Sequence, residues 1–439
     1  MIRVLIAEDI PSSNKGEATL MLGIYKTVKE ACGGHVQFAL CSSNWENDHR
    51  AYGEILTVLK QPGFIHKVYG ISKLKKILIR TYSIARHFIV GLCMLLLGKS
   101  VLKIFREELW EAYINSDVFL IGHDNSFSKY HLPLILFAKL LNKPIVVYGA
   151  TIQPNVLNSS FFRAFGSYCL NKVDLITTRE PLSLKYLKQI GVNKPPMFST
   201  ADKAFLLDPI PGKEVDKLME RTGVACAKRP LIGVMLVRGS NVFKAAFSYK
   251  PMTVEEKYSR HISELAKAMD RLYDALGGSI IFVPHSIGPH AEVDDRIVHR
   301  DVVEHMKNSI ATIVLEDDLE PAELKGLMGR FDMTISERTH GGIASATMMV
   351  PTLWISHPGD IRTYGIVGKT IDMPDCLYDI SYLESETLFE KMIWLWTNRE
   401  EIKGRLRSGI SIAKNLSMQN GQYFRRYIVE SLNLGSDRR

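Results

Sequence analysis

Along most of the chain, short runs of apolar and β-branched residues alternate with longer stretches whose apolar positions recur every three to four residues. This is the pattern of βαβ units and parallel sheets rather than of a sandwich. In the first half, the runs Ile2–Ala7, Val36–Cys41, Val118–Ile121, Pro144–Tyr148, Leu175–Thr178 and Met197–Thr200 predict strands. A second series follows at Leu231–Leu236, Ser279–Val283, Thr312–Leu315, Met333–Ser336, Thr352–Ile355 and Thr370–Met373.

Two sets of about six strands predict an α/β protein of two Rossmann-like, doubly wound domains facing a cleft, a GT-B-like arrangement with the active site in that cleft. The first domain reads as residues 1–207, with the Pro- and Lys-bearing stretch 208–230 as a linker and the second domain at 231–398. Residues 399–439 read as a helical segment that crosses back to brace the first domain. In open parallel sheets, ligands sit beyond the carboxyl ends of the strands, where loops and helix starts converge. The polar residues follow that rule: Glu8, Gly122, Gly149, Arg179 and Asp202 come after strands of the first half. Arg238, His285, Glu316, Arg338 and His340 come after strands of the second.

Composition narrows the class. With 46% hydrophobic and 23% charged residues among 439, the chain is neither disordered nor collagen-like, and it is too long for one core. The six cysteines lie far apart with no Cys-x-x-Cys pair, so they read as small buried hydrophobes in a reducing compartment. The sequence opens directly on a strand-like run, without a basic and then apolar leader, which predicts a cytoplasmic location, at the inner face of the membrane if the basic stretch described below binds lipid. No metal site is apparent, because Asp317 and Asp318 are adjacent loop acids that read as solvated.

The sharpest local signal is Ser336-Glu337-Arg338-Thr339-His340-Gly341-Gly342, a strand end running into a small-residue helix. First-turn amides, the helix dipole and the guanidinium fork would all point at a phosphate or carboxylate. Each charge-assisted hydrogen bond there contributes about 1.5–3 kcal/mol. The bland alternative is that Arg338 pairs with a structural carboxylate and His340 caps a helix. His285 opens the loop to His290 through Gly288 and Pro289, a tight exposed turn in which a histidine can exchange a proton near neutral pH or simply be solvated. His290 fits the solvated role better.

Near the start, Asn14 and Glu17 have the spacing of a capping box, while the loop around Gly16 can also contact an acceptor. Arg179 is a candidate second cation for the donor, and Asp202 either orients it or caps the next turn.

With these pieces placed, the chain resembles the polysaccharide pyruvyl transferase family over most of its length. The resemblance is carried by Asn14-Lys15-Gly16-Glu17-Ala18, the turn Tyr148 to Pro154, Arg179 with Ser183, Asp202 with Ala204, Pro284-His285, and Arg338-x-His340 followed by Ile343, Ala346 and Pro351. Glu17 stands where the family has Asp, and the turn Gly122-His123-Asp124-Asn125-Ser126 is more polar than the family's glycine-rich one. After Pro351, Arg362 is the basic residue that follows where the family commonly has an aromatic residue and a lysine.

The resemblance implies transfer of a pyruvyl group from phosphoenolpyruvate, a co-substrate rather than a cofactor, onto two hydroxyls of a sugar to form a cyclic ketal. It implies His340 and His285 as proton-transfer residues. The donor set would be Arg338, Arg179, Gly341, Gly342 and Arg238, and acceptor contacts would come from Asn14, Gly16, Glu17 and Asp202. A nucleotide-sugar GT-B glycosyltransferase and a non-catalytic carbohydrate-binding protein of the same fold are the competing readings.

The net charge of +8 is local. Ten bases and no acid lie between Lys60 and Arg106, leaving the rest of the chain at about −2. These bases interleave with Leu, Ile, Val, Phe and Met, which predicts a pair of interfacial helices at an anionic membrane, where a lipid-linked saccharide would be met. The longest apolar run, Phe88 to Leu97, is about half the roughly 20 residues of a bilayer span. A solvated basic face or a homo-oligomer contact are the alternatives, and no aromatic-rich motif supports nucleic-acid binding.

Overall fold

In this computed structural model of the chain, residues 1–61, 72–123, 127–154, 157–238, 245–288 and 290–432 are described. The apolar runs become strands because each is covered on both faces, which removes the need for alternation. The first sheet has the order β3-β2-β1-β4-β5-β6-β7, from β1 (Ile2–Ile6), β2 (Val36–Cys41), β3 (Thr57–Leu59), β4 (Val118–Ile121), β5 (Ile145–Ala150), β6 (Leu175–Thr178) and β7 (Met197–Ser199), all parallel. The second has the order β10-β9-β8-β11-β12-β13, from β8 (Leu231–Met235), β9 (Ser279–Phe282), β10 (Thr312–Val314), β11 (Met333–Ser336), β12 (Thr352–Ser356) and β13 (Leu377–Asp379), also all parallel.

Each sheet winds outward in both directions from a central pair, β1/β4 in one and β8/β11 in the other, with Ile6 beside Leu120 and Met235 beside Ser336. Those pairs are the switch points where doubly wound sheets leave a crevice. The crossovers in the first half are α1 (Lys15–Ala31), α2 (Trp45–Tyr52), α3 (Lys73–Leu97), α4 (Glu108–Asn115), α5 (His131–Leu140), α6 (Ser160–Leu170) and α7 (Pro181–Gln189). In the second half they are α8 (Gly212–Arg221), α9 (Val254–Leu276), α10 (Asp295–His305), α11 (Pro321–Met328), α12 (Thr339–Thr347), α13 (Ile361–Gly365) and α14 (Ser385–Thr397), followed by the long α15 (Arg399–Phe424).

The chain divides into two compact units, one made of 1–12, 20–203 and 415–439, the other of 13–19 and 204–414. The core of the first gathers Leu5, Phe119, Val147 and Ile176 with Trp110, Tyr113 and Phe137. That of the second gathers Met235, Ile281 and Val283 with Leu324, Leu327 and Phe331. Burying one such side chain fully contributes about 1.5–3 kcal/mol.

Three expectations need correction. The stretch 208–230 is not a linker: it contains α8, whose Leu218 joins the second core. The predicted strand Thr370–Met373 is instead the last residue of a π-helical turn, Ile366–Thr370, and the irregular backbone after it, with Asp372 at φ +54, so the sixth strand comes later at Leu377. The basic region is one 25-residue helix, α3, with a 3₁₀ turn at Gly98–Lys103 rather than a helix pair, and residues 62–71 lie outside the described set. Strand β3 was not anticipated, being only three residues long before Lys60. Of the cysteines, Cys41, Cys169 and Cys376 are buried while Cys226 is exposed, and all are free thiols.

Candidate active site

The second switch point collects the reactive side chains. β11 ends at Ser336, and two residues later the backbone enters α12 with Arg338 at the N-cap. Glu337 ties this turn to the neighbouring strand end: its amide donates to the Met235 carbonyl at 2.9 Å, and its carboxylate accepts from the Val237 amide at 2.9 Å. The Arg338 guanidinium forks onto Asp295, with Nε donating to Oδ2 at 2.9 Å and Nη2 to Oδ1. Asp295 is fully buried and also accepts from the amides of Arg238 (3.2 Å), His285 (3.2 Å) and Ser286 (3.0 Å).

One carboxylate therefore fixes the ends of β8 and β9 and the start of α12. The structural partner for Arg338 that the sequence left open is real. It does not exhaust the guanidinium, because an arginine has five N–H donors and the side chain keeps 19% of its exposure.

His285 is buried rather than set in an exposed turn. Burial, reinforced by the nearby Arg338 charge, holds its imidazole down to about 4, so it is neutral at pH 7. It can accept a proton but does not arrive with one to donate. His299, from α10, is buried as well; it is held down to about 3 by the same two causes, and its Nε2 accepts from the Leu236 amide at 3.1 Å.

His340 is half-buried in the first turn of α12, beside Gly16. A Cβ at Gly16 would lie 2.3 Å from His340 Nδ1, so the glycine is needed for this approach. The loop that carries Gly16 is held by an Asn14–Ser286 bridge and by the Lys15 amide donating to the His285 carbonyl at 2.8 Å. Lys15 itself is 4% exposed and pairs with Asp318 at 2.7 Å, so Asp318 is not simply solvated. Lys15, His285, His340 and Lys325 line a cavity of about 10 Å³, room for a single water as it stands.

The family model described as polysaccharide pyruvyl transferase matches residues 14–359, from the Gly16 loop through α12 to the turn after β12. The chain belongs to the polysaccharide pyruvyl transferase family. A curated relative, the amylovoran biosynthesis protein AmsJ of Erwinia amylovora, is 22% identical over 273 residues, and the chain spans 61% of that relative's length, with 61% of this chain covered. Among solved structures, S. aureus MnaA with UDP matches with a TM-score of 0.59 at 12% identity, covering 99% of this chain and 98% of that one. The UDP-GlcNAc 2-epimerase of Neisseria meningitidis bound to UDP-GlcNAc gives 0.54 at 12% identity, covering 98% and 99%. At such identities the likeness shows the fold alone, that of two Rossmann-like α/β domains of GT-B type.

Several residues implied by the pyruvyl transferase resemblance have other work. The Gly342 amide already donates to the Arg338 carbonyl at 3.0 Å, and a Cβ there would strike Trp354 at 2.0 Å. At Gly341 a Cβ would meet Met235 at 2.6 Å and His285 at 3.0 Å. Both glycines let α12 pack closely, and the Gly342 amide is already taken within the helix. Asn14 accepts from the amides of Gly16 and Glu17 at 3.1 and 3.3 Å and donates to the Glu17 carboxylate at 3.1 Å, which realises the capping role. The Arg238 guanidinium lies over the Tyr258 ring at 4.5 Å. Arg362 pairs within its own turn with Asp360 at 3.2 Å, while Thr363 bonds Thr339 at 2.7 Å, so this turn abuts the start of α12.

The first unit holds the remaining expected residues, all buried. Arg179 has no exposure: Nη1 donates to Asp202 at 2.7 Å and Nε to Thr151 at 2.9 Å. It presents no surface to a ligand, so the expectation that it binds the donor is corrected, and Asp202 is its orienting partner rather than an acceptor contact or a cap. At the β1/β4 switch, Glu8 accepts from the His123 amide at 3.1 Å and approaches His123 Nδ1 at 2.9 Å and His131 Nε2 at 2.8 Å. Burial alone would raise this carboxyl, but the His123 and His131 contacts more than reverse it and hold it well below the usual range. Asp124, Asn125 and Ser126, of the polar turn noted above, lie outside the described residues.

Sequence reasoning missed Asp295, Lys15 and His299. Lys15 stood inside a recognised motif, and Asp295 follows a second acid at a helix start, but nothing local ties either to the site.

Proposed function

We propose that this transferase moves the pyruvyl group of phosphoenolpyruvate onto two hydroxyls of a saccharide, forming a cyclic ketal. The single observation that carries the reading is the arrangement at β8/β11, where Arg338, held by Asp295 yet still partly exposed, stands two residues from His340 and beside neutral His285. A guanidinium with spare donors at a helix start fits a small dianion.

In this reading Arg338, with first-turn amides of α12, holds the donor's phosphate and carboxylate. His340 delivers a proton to the methylene carbon, a role His285 cannot take because its imidazole is unprotonated. His285 instead receives a hydroxyl proton as the first sugar oxygen bonds to the central carbon. The second hydroxyl then bonds to the same carbon as its C–O bond to phosphate breaks. Of the two hydroxyl protons, one ends on the new methyl group and one on inorganic phosphate, so the reaction balances. Closing around phosphoenolpyruvate requires the present cavity to widen.

The acceptor we propose is a lipid-linked saccharide met on the cytoplasmic side of the membrane during exopolysaccharide assembly, a step consistent with likeness to an amylovoran biosynthesis protein. The test is phosphate release from phosphoenolpyruvate by the full chain in the presence of a membrane lipid extract. Release that depends on the extract, with a ketal methyl group appearing in the glycolipid, is the expected result. Turnover of a nucleotide sugar by the same extract, with phosphoenolpyruvate untouched, would replace this reading with the glycosyltransferase one. Biological activity left intact by His340→Ala would favour a non-catalytic carbohydrate-binding role.

A further inference from the structure

Helix α3 is seated on the first unit by one face only. His87, Val90 and Met94 are 3%, 1% and 6% exposed, and a Cβ at Gly91 would meet Phe137 at 2.8 Å. On the opposite side of the same helix Leu74, Leu78, Tyr82, Ile89, Leu92 and Leu96 keep between 52% and 84% of their exposure. Their spacing of three, four and seven lines them along one stripe, roughly 160° around the helix from the buried set by the 100° step per residue. Single exposed apolar residues are ordinary, but a continuous stripe running the length of a 25-residue helix marks an interaction surface.

Charge identifies the partner. The sequence from 60 to 106 carries ten bases and no acid. Arg86 is paired with Glu107, and Arg80 lies over the Tyr130 ring at 4.4 Å. Lys75, Lys103 and Arg106 are exposed, and Ile104, beside Lys103, is 65% exposed. We infer that α3 and the turn after it lay this apolar, base-flanked face onto a lipid bilayer bearing anionic headgroups.

A second copy of the chain would set these bases against their own kind, whereas anionic headgroups neutralise them while the acyl region takes the leucines. By length and composition the helix could cross a bilayer, its hydropathy averaging 1.3 over Leu74–Leu97. Crossing would strip His87 from its edge contacts with Trp110, Tyr113 and Phe137 and would empty the sites of Val90 and Met94 in the core. The helix therefore lies in the plane of the interface.

This inference stands apart from the donor chemistry, and its test uses no substrate. The full chain is sedimented with vesicles of phosphatidylcholine alone and with vesicles containing about a third phosphatidylserine, at low and high salt. The expected result is binding to the anionic vesicles that weakens with salt and falls at least about tenfold in Leu78→Glu/Leu92→Glu/Leu96→Glu, with an unchanged circular dichroism melt. A charge-reversal variant, Lys75→Glu/Lys103→Glu, should weaken binding several-fold without touching the apolar face. Absence of wild-type binding to anionic vesicles at low salt would overturn the proposal. So would binding unaffected by both variants, or a dimer that the triple substitution dissociates in a protein that never binds vesicles.

Discussion

The two sheets share a topology, yet their switch points have opposite fates. At β1/β4 the strand ends close on one another: Glu8 is clasped by His123 and His131, and Lys203 donates to the Tyr148 and Gly149 carbonyls at 3.0 Å each. Arg179 is spent on Asp202. Each of these groups is at most 2% exposed. At β8/β11 a comparable carboxylate, Asp295, is equally buried, but the arginine it holds and the histidine two residues on are only half-buried. Polar residues after parallel strands are thus a necessary sign of a site and not a sufficient one. What separates structure from chemistry is whether the buried counter-charge holds a group that still faces outward.

The largest effect that would sharpen this contrast is His340→Ala. It should lower kcat/KM for phosphoenolpyruvate by about 10²–10⁴ with the melting temperature nearly unchanged. A variant retaining most of its activity would break the contrast. Next, Asp295→Ala should cost about 3–5 kcal/mol of stability by urea unfolding, because it leaves Arg338 uncompensated and three amides without their acceptor. Glu8→Gln should cost less, about 1–3 kcal/mol, and should leave kcat within a factor of about two, as expected for a closed structural cluster. A large fall in kcat from Glu8→Gln would give the first switch point a catalytic part it is denied here.

A further effect is on pH dependence. His285 and His299 are neutral in the folded protein down to about 4 and 3, whereas in the unfolded chain both protonate near 6.5. Below that point the unfolded state binds more protons, so the stability these residues contribute is whole above about pH 6.5 and is lost as pH falls towards their folded values. The slope reaches at most about 1.4 kcal/mol per pH unit for each histidine. Glu8, held low, stays ionised across the same window. Hydrogen exchange between pH 7 and 5 should therefore loosen β8 and α10 before it loosens β1 and β4, and the reverse order would count against this assignment of charge.

Much of the fold was legible because strands covered on both faces must be apolar runs, and eleven of the twelve predicted runs coincide with strands. The exception, Thr370–Met373, is apolar for another reason, since Ile371 and Met373 are buried in the irregular backbone that follows the π-helical turn. Arg338 and His340 were legible because they sit at a strand end that becomes a helix. Asp295 was not, as the carboxylate that fixes Arg338 lies 43 residues earlier and only the folded sheet joins them. Arg179 misled for the converse reason: its strand-end position is right, but Asp202 and Thr151 consume it.

In the function proposed above, the β8/β11 site holds a small anionic donor through Arg338 and His340. It is tested most directly by the melting temperature of the full chain with phosphoenolpyruvate and, separately, with a panel of nucleotide sugars, in the wild type and in Arg338→Ala and His340→Ala. Stabilisation by phosphoenolpyruvate alone, abolished in Arg338→Ala and weakened in His340→Ala, is predicted; at 100 times Kd it amounts to about 2.7 kcal/mol. Stabilisation by a nucleotide sugar instead, or a phosphoenolpyruvate shift that survives both substitutions, would contradict it.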